Sequence, residues 1–190
     1  MKPASNSGLS RVKRYLLGIP EPVIRPAQFL FGSELHSMWL EEGKRENMLT
    51  ADEEQLLGSM QRMLVQHASA YVVAPKIQLE VEITKKINGV MCRGFLDIYN
   101  KPGKLIADLK TTSTRSYDEF LASCIAYDYF RQAYFYQKLT GVENFHFIAA
   151  PKLPPHKPII LDVRKHPRQM YAAKQEFEFL LYYYGKHHAV

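Results

Sequence analysis

Three residues in the segment GFLDIYNKPGKLIADLKTT, Gly94 to Thr112, could do chemistry that their neighbours could not. Asp97 interrupts the apolar run FLDIY, Asp108 interrupts LIADL, and Lys110 follows Asp108 two residues later. Two carboxylates held close together repel, and one of them is driven to a higher pKa. A divalent cation removes that conflict, and oxygen donors with room for water suit magnesium. An ammonium does not bind a cation, but it can contact a phosphate or a water on the metal. One acid, then acid-x-lysine on the next strand, therefore suits metal-assisted phosphodiester cleavage. The same three residues also suit a salt-bridge ladder on a solvent-facing sheet, so the surrounding elements must decide.

Those elements begin after Pro75, where apolar residues recur with period two. KIQLEVEIT and VMCRGFLDIY flank Asn88-Gly89, which predicts a hairpin with a type I′ turn. Ile87 then pairs with Val90, Glu82 with Phe95, and Glu80 falls opposite Asp97. A third strand, KLIADLKT, follows the turn NKPG. If NKPG is a four-residue loop, Tyr99 pairs with Lys104, and Asp97 lies opposite Ile106 with Asp108 as its diagonal neighbour. Alternation then brings Asp97, Asp108 and Lys110 out on one face, with Glu80 beside them. A slip of one residue at either turn would break this arrangement.

Upstream, IPEPVIRP (19–26) reads as extended, and a helix is expected from about Ala27 to Glu42, ending near Gly43. TADE is a capping box that opens a second helix at Thr50, with Leu56, Leu57, Met60, Met63 and Leu64 at helical spacing. Downstream, SYDE (116–119) opens a long helical stretch that Gly141 stops. NFHFIAAP and KPIILDV read as strands, and Pro167 opens a last helix to about Tyr184. The predicted order is ααβββαββα, an α/β fold with a mixed sheet.

With 190 residues, 46% hydrophobic and 23% charged, one globular domain over 1–190 is expected, with a short flexible tail at about 1–8. No apolar run approaches a membrane span, and the N-terminal residues carry no signal-peptide pattern, so no membrane partner is expected. Cys92 and Cys124 form no CxxC pair and read as packed free thiols, which fits a reducing cytoplasm. The net charge of +6 is compatible with a polyanionic partner, although the cations are scattered.

The pattern Gly94, Asp97, Asp108, Lys110, Thr111 resembles motifs II and III of the PD-(D/E)XK nucleases, and more narrowly the RecB-type, phage-exonuclease branch. Two further marks fit that branch. GSELH holds Gly32 and His36, one turn apart on a helix, where another element can approach closely. YFRQAYFYQ holds Gln132 and Tyr136, also one turn apart. The resemblance covers roughly residues 7 to 150, and nothing after about Pro151 carries a motif.

The resemblance implies a restriction-endonuclease-like core. His36, Asp97, Asp108 and the Leu109 carbonyl would ligate magnesium, with manganese as a substitute. Lys110 would orient or deprotonate the attacking water, leaving a 5′-phosphate and a 3′-hydroxyl. Gln132 would contact the strand with Tyr136 supporting it, and the register adds Glu80 behind the ligands. With two cysteines rather than four, no iron–sulfur cluster is expected.

The function implied is a metal-dependent deoxyribonuclease, an exonuclease of recombination, repair or DNA end processing in a bacterial or phage-infected cytoplasm. Its substrate would be linear duplex or single-stranded DNA. A recombinase or single-strand annealing protein is a compatible partner, and so is a homo-oligomer. The same residues also fit a structure-specific endonuclease, or a nucleic-acid-binding module with a dead site. A basic α/β scaffold for another protein would show neither metal affinity nor salt-sensitive DNA binding.

Overall fold

A computed structural model describes residues 2–20, 26–40, 49–154 and 156–187, with backbone alone over 26–29. Residues 21–25 of the extended run expected at 19–26, and the helix end near Gly43, lie outside these residues, and Pro26 already belongs to a helix. The helices are α1 (Asn6–Leu17), α2 (Pro26–Leu40), α3 (Ala51–Ala68), α4 (Ala70–Val73), α5 (Tyr117–Ala126), α6 (Tyr129–Thr140) and α7 (Pro167–His187). The strands are β1 (Gln78–Ile87), β2 (Val90–Asn100), β3 (Leu105–Thr112), β4 (Phe145–Pro151) and β5 (Ile159–Asp162).

The strands form one sheet in the order β1-β2-β3-β4-β5, antiparallel except for the parallel pair β3–β4. Helices cover both faces. One core packs α1, α5, α6 and α7 through residues such as Leu9, Phe120, Phe135 and Phe177 against Leu96, Ile106 and Phe147. The other packs Phe31, Leu35, Leu57 and Met60 of α2 and α3 against Ile98, Ala107, Leu109 and Ile148. This is the expected α/β fold with a mixed sheet. No described helix is long and apolar enough to cross a membrane.

The β1–β2 hairpin has the predicted register, with Ile87 paired to Val90 and Glu82 to Phe95. Asn88 and Gly89 both take positive φ, as a type I′ turn requires. Thr50 and Glu53 form the reciprocal capping box of α3. At α5, Ser116 accepts from Glu119 N, but the Glu119 carboxylate accepts from Arg115 N at 2.7 Å, one residue before the cap.

Four expectations are corrected. Tyr99 pairs with Ile106, not Lys104, because the turn occupies residues 101–104 and Asn100 stays in the strand. The Asn100 side chain accepts from Gly103 N at 2.8 Å and closes that turn. The residues near the N-terminus are no flexible tail. Ala4 is fully buried, and its backbone bonds Met91 O and Arg93 N of β2, both at 2.8 Å. Ser5 then caps α1, which Gly18 ends in the left-handed region, adding a helix to the predicted order. The long helix after Ser116 is two, broken where Asp128 adopts φ 58°. Lys13 of α1 and Arg131 hold the Asp128 carboxylate at 2.7 and 3.3 Å, which fixes a conformation that aspartate tolerates better than most residues.

The fourth correction concerns alternation. Glu80 has φ 50°, and the pleat reverses there. Val81 and Ile83 pack on the α6 side, whereas Ile77 and Leu79 pack on the α2–α3 side. Across from them Leu96 and Ile98 divide the same way around Asp97. The Glu80–Asp97 position is therefore a crease in the sheet, and no single face carries all four polar residues.

Gly94 lets α6 lie on β2. A Cβ there would stand 2.7 Å from Leu139 Cδ1 and 2.8 Å from Tyr136 Cε1, both on buried side chains. Gly94→Ala is expected to cost about 1–3 kcal/mol as overpacking, at about 2–4 °C of Tm per kcal/mol for a chain of this size. Gly32 differs, because among the described residues a Cβ would meet only Thr111 Oγ1, at an ordinary 3.4 Å. Gly32→Ala, within α2, is expected to leave Tm unchanged or raise it, since alanine favours a helix by about 1 kcal/mol over glycine. Thermal melts of the two variants check the pair.

Candidate active site

The site forms where β2 and β3 part. Their ladder ends at Ile98↔Ala107, one step before Asp97 would face Asp108. There the Asp97 side chain replaces a backbone partner, and Leu109 N donates to Asp97 Oδ2 at 2.7 Å. The other end of the Leu109 residue is held from the opposite layer. His36 Nε2 of α2 donates to the Leu109 carbonyl oxygen at 3.0 Å and stands 3.4 Å from Asp97 Oδ2. His36 Nδ1 faces Glu80 Oε1 at 3.5 Å.

Burial works against charge on His36, but Glu80, Asp97, the Leu109 carbonyl and Asp108 outweigh it and push its pKa up to about 9. Asp97 moves the other way relative to its ordinary ionisation. Burial, and then the like charge of Asp108, raise its pKa to about 7, although His36, Lys110 and Leu109 N–H oppose the shift.

Asp108 is turned toward the other layer. It is 2% exposed, with Lys110 Nζ 2.6 Å from Oδ2 and Gln132 Nε2 of α6 donating to Oδ1 at 2.7 Å. Burial disfavours the Lys110 ammonium, but Asp108 and then Asp97 more than compensate, so its pKa lies above the usual lysine value. The ammonium also sits 4.9 Å above the Tyr129 ring. Tyr136 is buried beside Gly94, and burial raises its phenol pKa.

The expected residues thus form two adjoining groups. His36, Asp97 and the Leu109 carbonyl lie together, and Glu80 joins them directly rather than standing behind. One ligand atom each from His36, Glu80 and Asp97 fall within 4.8 Å of one another. Asp108, Lys110 and Gln132 form the second group, joined to the first through Asp97. Sequence reasoning did not reach Tyr129, although it stands three residues before Gln132 on α6, the spacing of one helix face.

The donor set fits a hard divalent cation. It offers carboxylates, an imidazole and a backbone carbonyl, and among the described residues the buried Glu80 Oε1 has no hydrogen-bond partner beyond the 3.5 Å approach of His36 Nδ1. A cation would also oppose the burial, and then the like charge of Asp108, that raise the Asp97 pKa.

A family model and the fold of one solved structure support the same architecture. The model of the family described as a PDDEXK-like domain of unknown function (DUF3799) matches residues 21–184. The crystal structure of a candidate exonuclease from Eubacterium rectale is similar in fold, with a TM-score of 0.66 at 18% identity, over 94% of this chain and 80% of that one. A phage-related exonuclease from Haemophilus somnus aligns at a TM-score of 0.41 and 15% identity, over 91% of this chain and 93% of that one. No curated protein sequence matches the chain.

The charges at His36 and Asp97 make stability depend on pH when metal is absent. His36 titrates at about 9 when folded against an ordinary 6.5, so its contribution is complete below pH 6.5 and is lost as pH rises through 9. Asp97, raised from 3.8 to about 7, has the same sign and favours the fold most below pH 3.8. In EDTA, Tm is expected to fall between pH 6.5 and pH 9, and His36→Gln is expected to flatten that fall. Melting curves for the two proteins across this range, run in parallel, test it; identical slopes would contradict the charge assignment.

Proposed function

The chain belongs to the PDDEXK-like family, and from that membership we propose that it is a metal-dependent DNA nuclease of the RecB-type, phage-exonuclease branch. One observation carries the reading. At the β2–β3 fork the Leu109 residue gives its N–H to Asp97 and its carbonyl to His36, while the next residue is a lysine paired with Asp108. A salt-bridge ladder on an open sheet would place these groups in solvent, yet Asp108 is buried and Glu80 Oε1 is a buried atom turned to His36 Nδ1 of the helix layer.

In this reading His36, Asp97, Asp108 and the Leu109 carbonyl, together with Glu80, would hold magnesium, or manganese in its place. An ion bound there would supply Lewis-acid stabilisation of charge developing on the phosphate. Lys110 is the positioned cation. Asp108 fixes its ammonium, from which it can hold a proton toward the attacking water or a phosphate oxygen. Gln132 keeps Asp108 oriented through one amide hydrogen bond and still has its carbonyl oxygen for the strand. Tyr136 supports Gln132 from the packed side of α6. In-line attack leaves a 5′-phosphate and a 3′-hydroxyl.

An exonuclease acting in recombination, repair or end processing is the favoured form. End-labelled linear duplex and single strands, compared with closed circles, separate it from a structure-specific endonuclease. Cleavage is expected with magnesium and none with excess EDTA, and activity that survives EDTA would refute the mechanism. Lys110→Ala is expected to lose about 10²–10³ in turnover, the range for removal of one positioned electrostatic group. It should keep its magnesium affinity by calorimetry, since an ammonium is no ligand. Loss of that affinity would make Lys110 structural.

A further inference from the structure

Two cavities meet at the start of the chain and the first turns of α1. One, of about 390 Å³, opens where Gln132 of α6 faces Arg93 and Phe95 of β2. The other, of about 620 Å³, runs between α1 and α7 past Tyr15 and Tyr183. Lys2, Ser5 and Arg11 line both, so the two make one groove. Its inner end is Gln132, whose amide is bonded to Asp108.

The groove has one sign of charge. Lys2, Arg11 and Arg93 line it, and among the described residues no carboxylate does. The side chains of Lys2 and Arg11 are exposed and have no hydrogen bond or ion pair among the described residues. Its aromatic groups are open as well. Tyr15 is 77% exposed and Phe95 50% exposed, and the Arg93 guanidinium lies 5.6 Å from the Phe95 ring centre. Arg93 lies 3.9 Å from Glu82 across the hairpin, so Lys2 and Arg11 are the cations left open, and cations spaced along a groove match a repeating phosphate better than a single anion. Exposed ring faces match unpaired bases, because the faces of bases in a duplex are already stacked.

We propose that this groove carries a single DNA strand away from the cleavage site, with Arg93, Lys2 and Arg11 along its phosphates and Phe95 and Tyr15 against its bases. The proposal rests on the nuclease reading above and adds to it a strand path built by the N-terminal segment. The docking of Ala4 on β2 sets one wall of that path, since it fixes Lys2 and Ser5 beside Arg93.

Fluorescence anisotropy of labelled oligothymidylates of about 4 and about 20 nucleotides tests it, a range that brackets what one such groove holds. Measurements use calcium, with no cleavage required, at several salt concentrations. Wild type is expected to bind the longer strand at least about tenfold more tightly, the scale of one or more stacked bases. Arg11→Ala and Tyr15→Ala should each remove most of that gain and leave the short strand within about twofold. Arg11→Ala should also reduce the slope of log affinity against log salt by about 0.7, the release expected for one phosphate contact on a single strand. Both side chains are exposed, so melting curves should match wild type.

An unchanged length dependence in both variants overturns the groove. So does displacement of the long strand by polyglutamate as readily as by unlabelled oligothymidylate, which would mark a site for any polyanion. The readout is binding alone. A wild-type protein that binds as described but cleaves nothing in magnesium would defeat the nuclease reading and leave the groove standing.

Discussion

The Leu109 residue is the constraint around which the site is built. Its N–H is taken by the Asp97 carboxylate and its carbonyl by His36, so both of its main-chain polar groups end in side chains. A strand that kept pairing would bring β2 and β3 together and leave no space between them. By accepting from Leu109, Asp97 satisfies a buried donor that would otherwise be costly, and it does so while holding the strands apart. The fork therefore needs no flexible loop. It is framed by two strands and by helices on both faces, which is where positioned groups are most precise.

The crease at Glu80 serves the same end. A positive φ at a residue other than glycine costs about 1–2 kcal/mol, and it recurs where surrounding structure over-determines the conformation. Here the reversal of the pleat turns Glu80 toward His36 instead of leaving it on the outer face. It also lets one hairpin pack its far end under α6 and its near end under α2 and α3. The two layers can then each supply a group to one point, His36 from α2 and Gln132 from α6.

Much of this was legible because local chemistry agreed with it. Asn88-Gly89 fixed one register, and the alternation of apolar residues found the strands. The NKPG turn misled by two residues because Asn100 belongs to the strand and only its side chain closes the turn. Since side chains repeat with period two, the error kept every residue on its face and left Asp97 beside Asp108. The reversal at Glu80 has no local signal, because glutamate does not favour positive φ. The break at Asp128 depends on Lys13, 115 residues away in sequence, which no window along the chain could reveal. By contrast Ser5 and Gly18 are ordinary caps for α1, hidden only by the polar residues between them. The pairing of Asp108 with Lys110, rather than with the His36 group, follows from burial of both and could not be read from spacing.

The hydroxyl of Tyr184 donates to the carbonyl of Lys2, across a separation of 182 residues. Contacts that span so much chain are the slowest to form, because the loop they close must first lose its freedom. During synthesis the segment around Lys2 must wait for α7 before that contact can form. The fork, by contrast, depends on β1 to β3 and on helices completed earlier. The order of assembly thus separates a centre that can take shape early from a wall that is finished at the end, and a nascent chain would carry the first before it had the second.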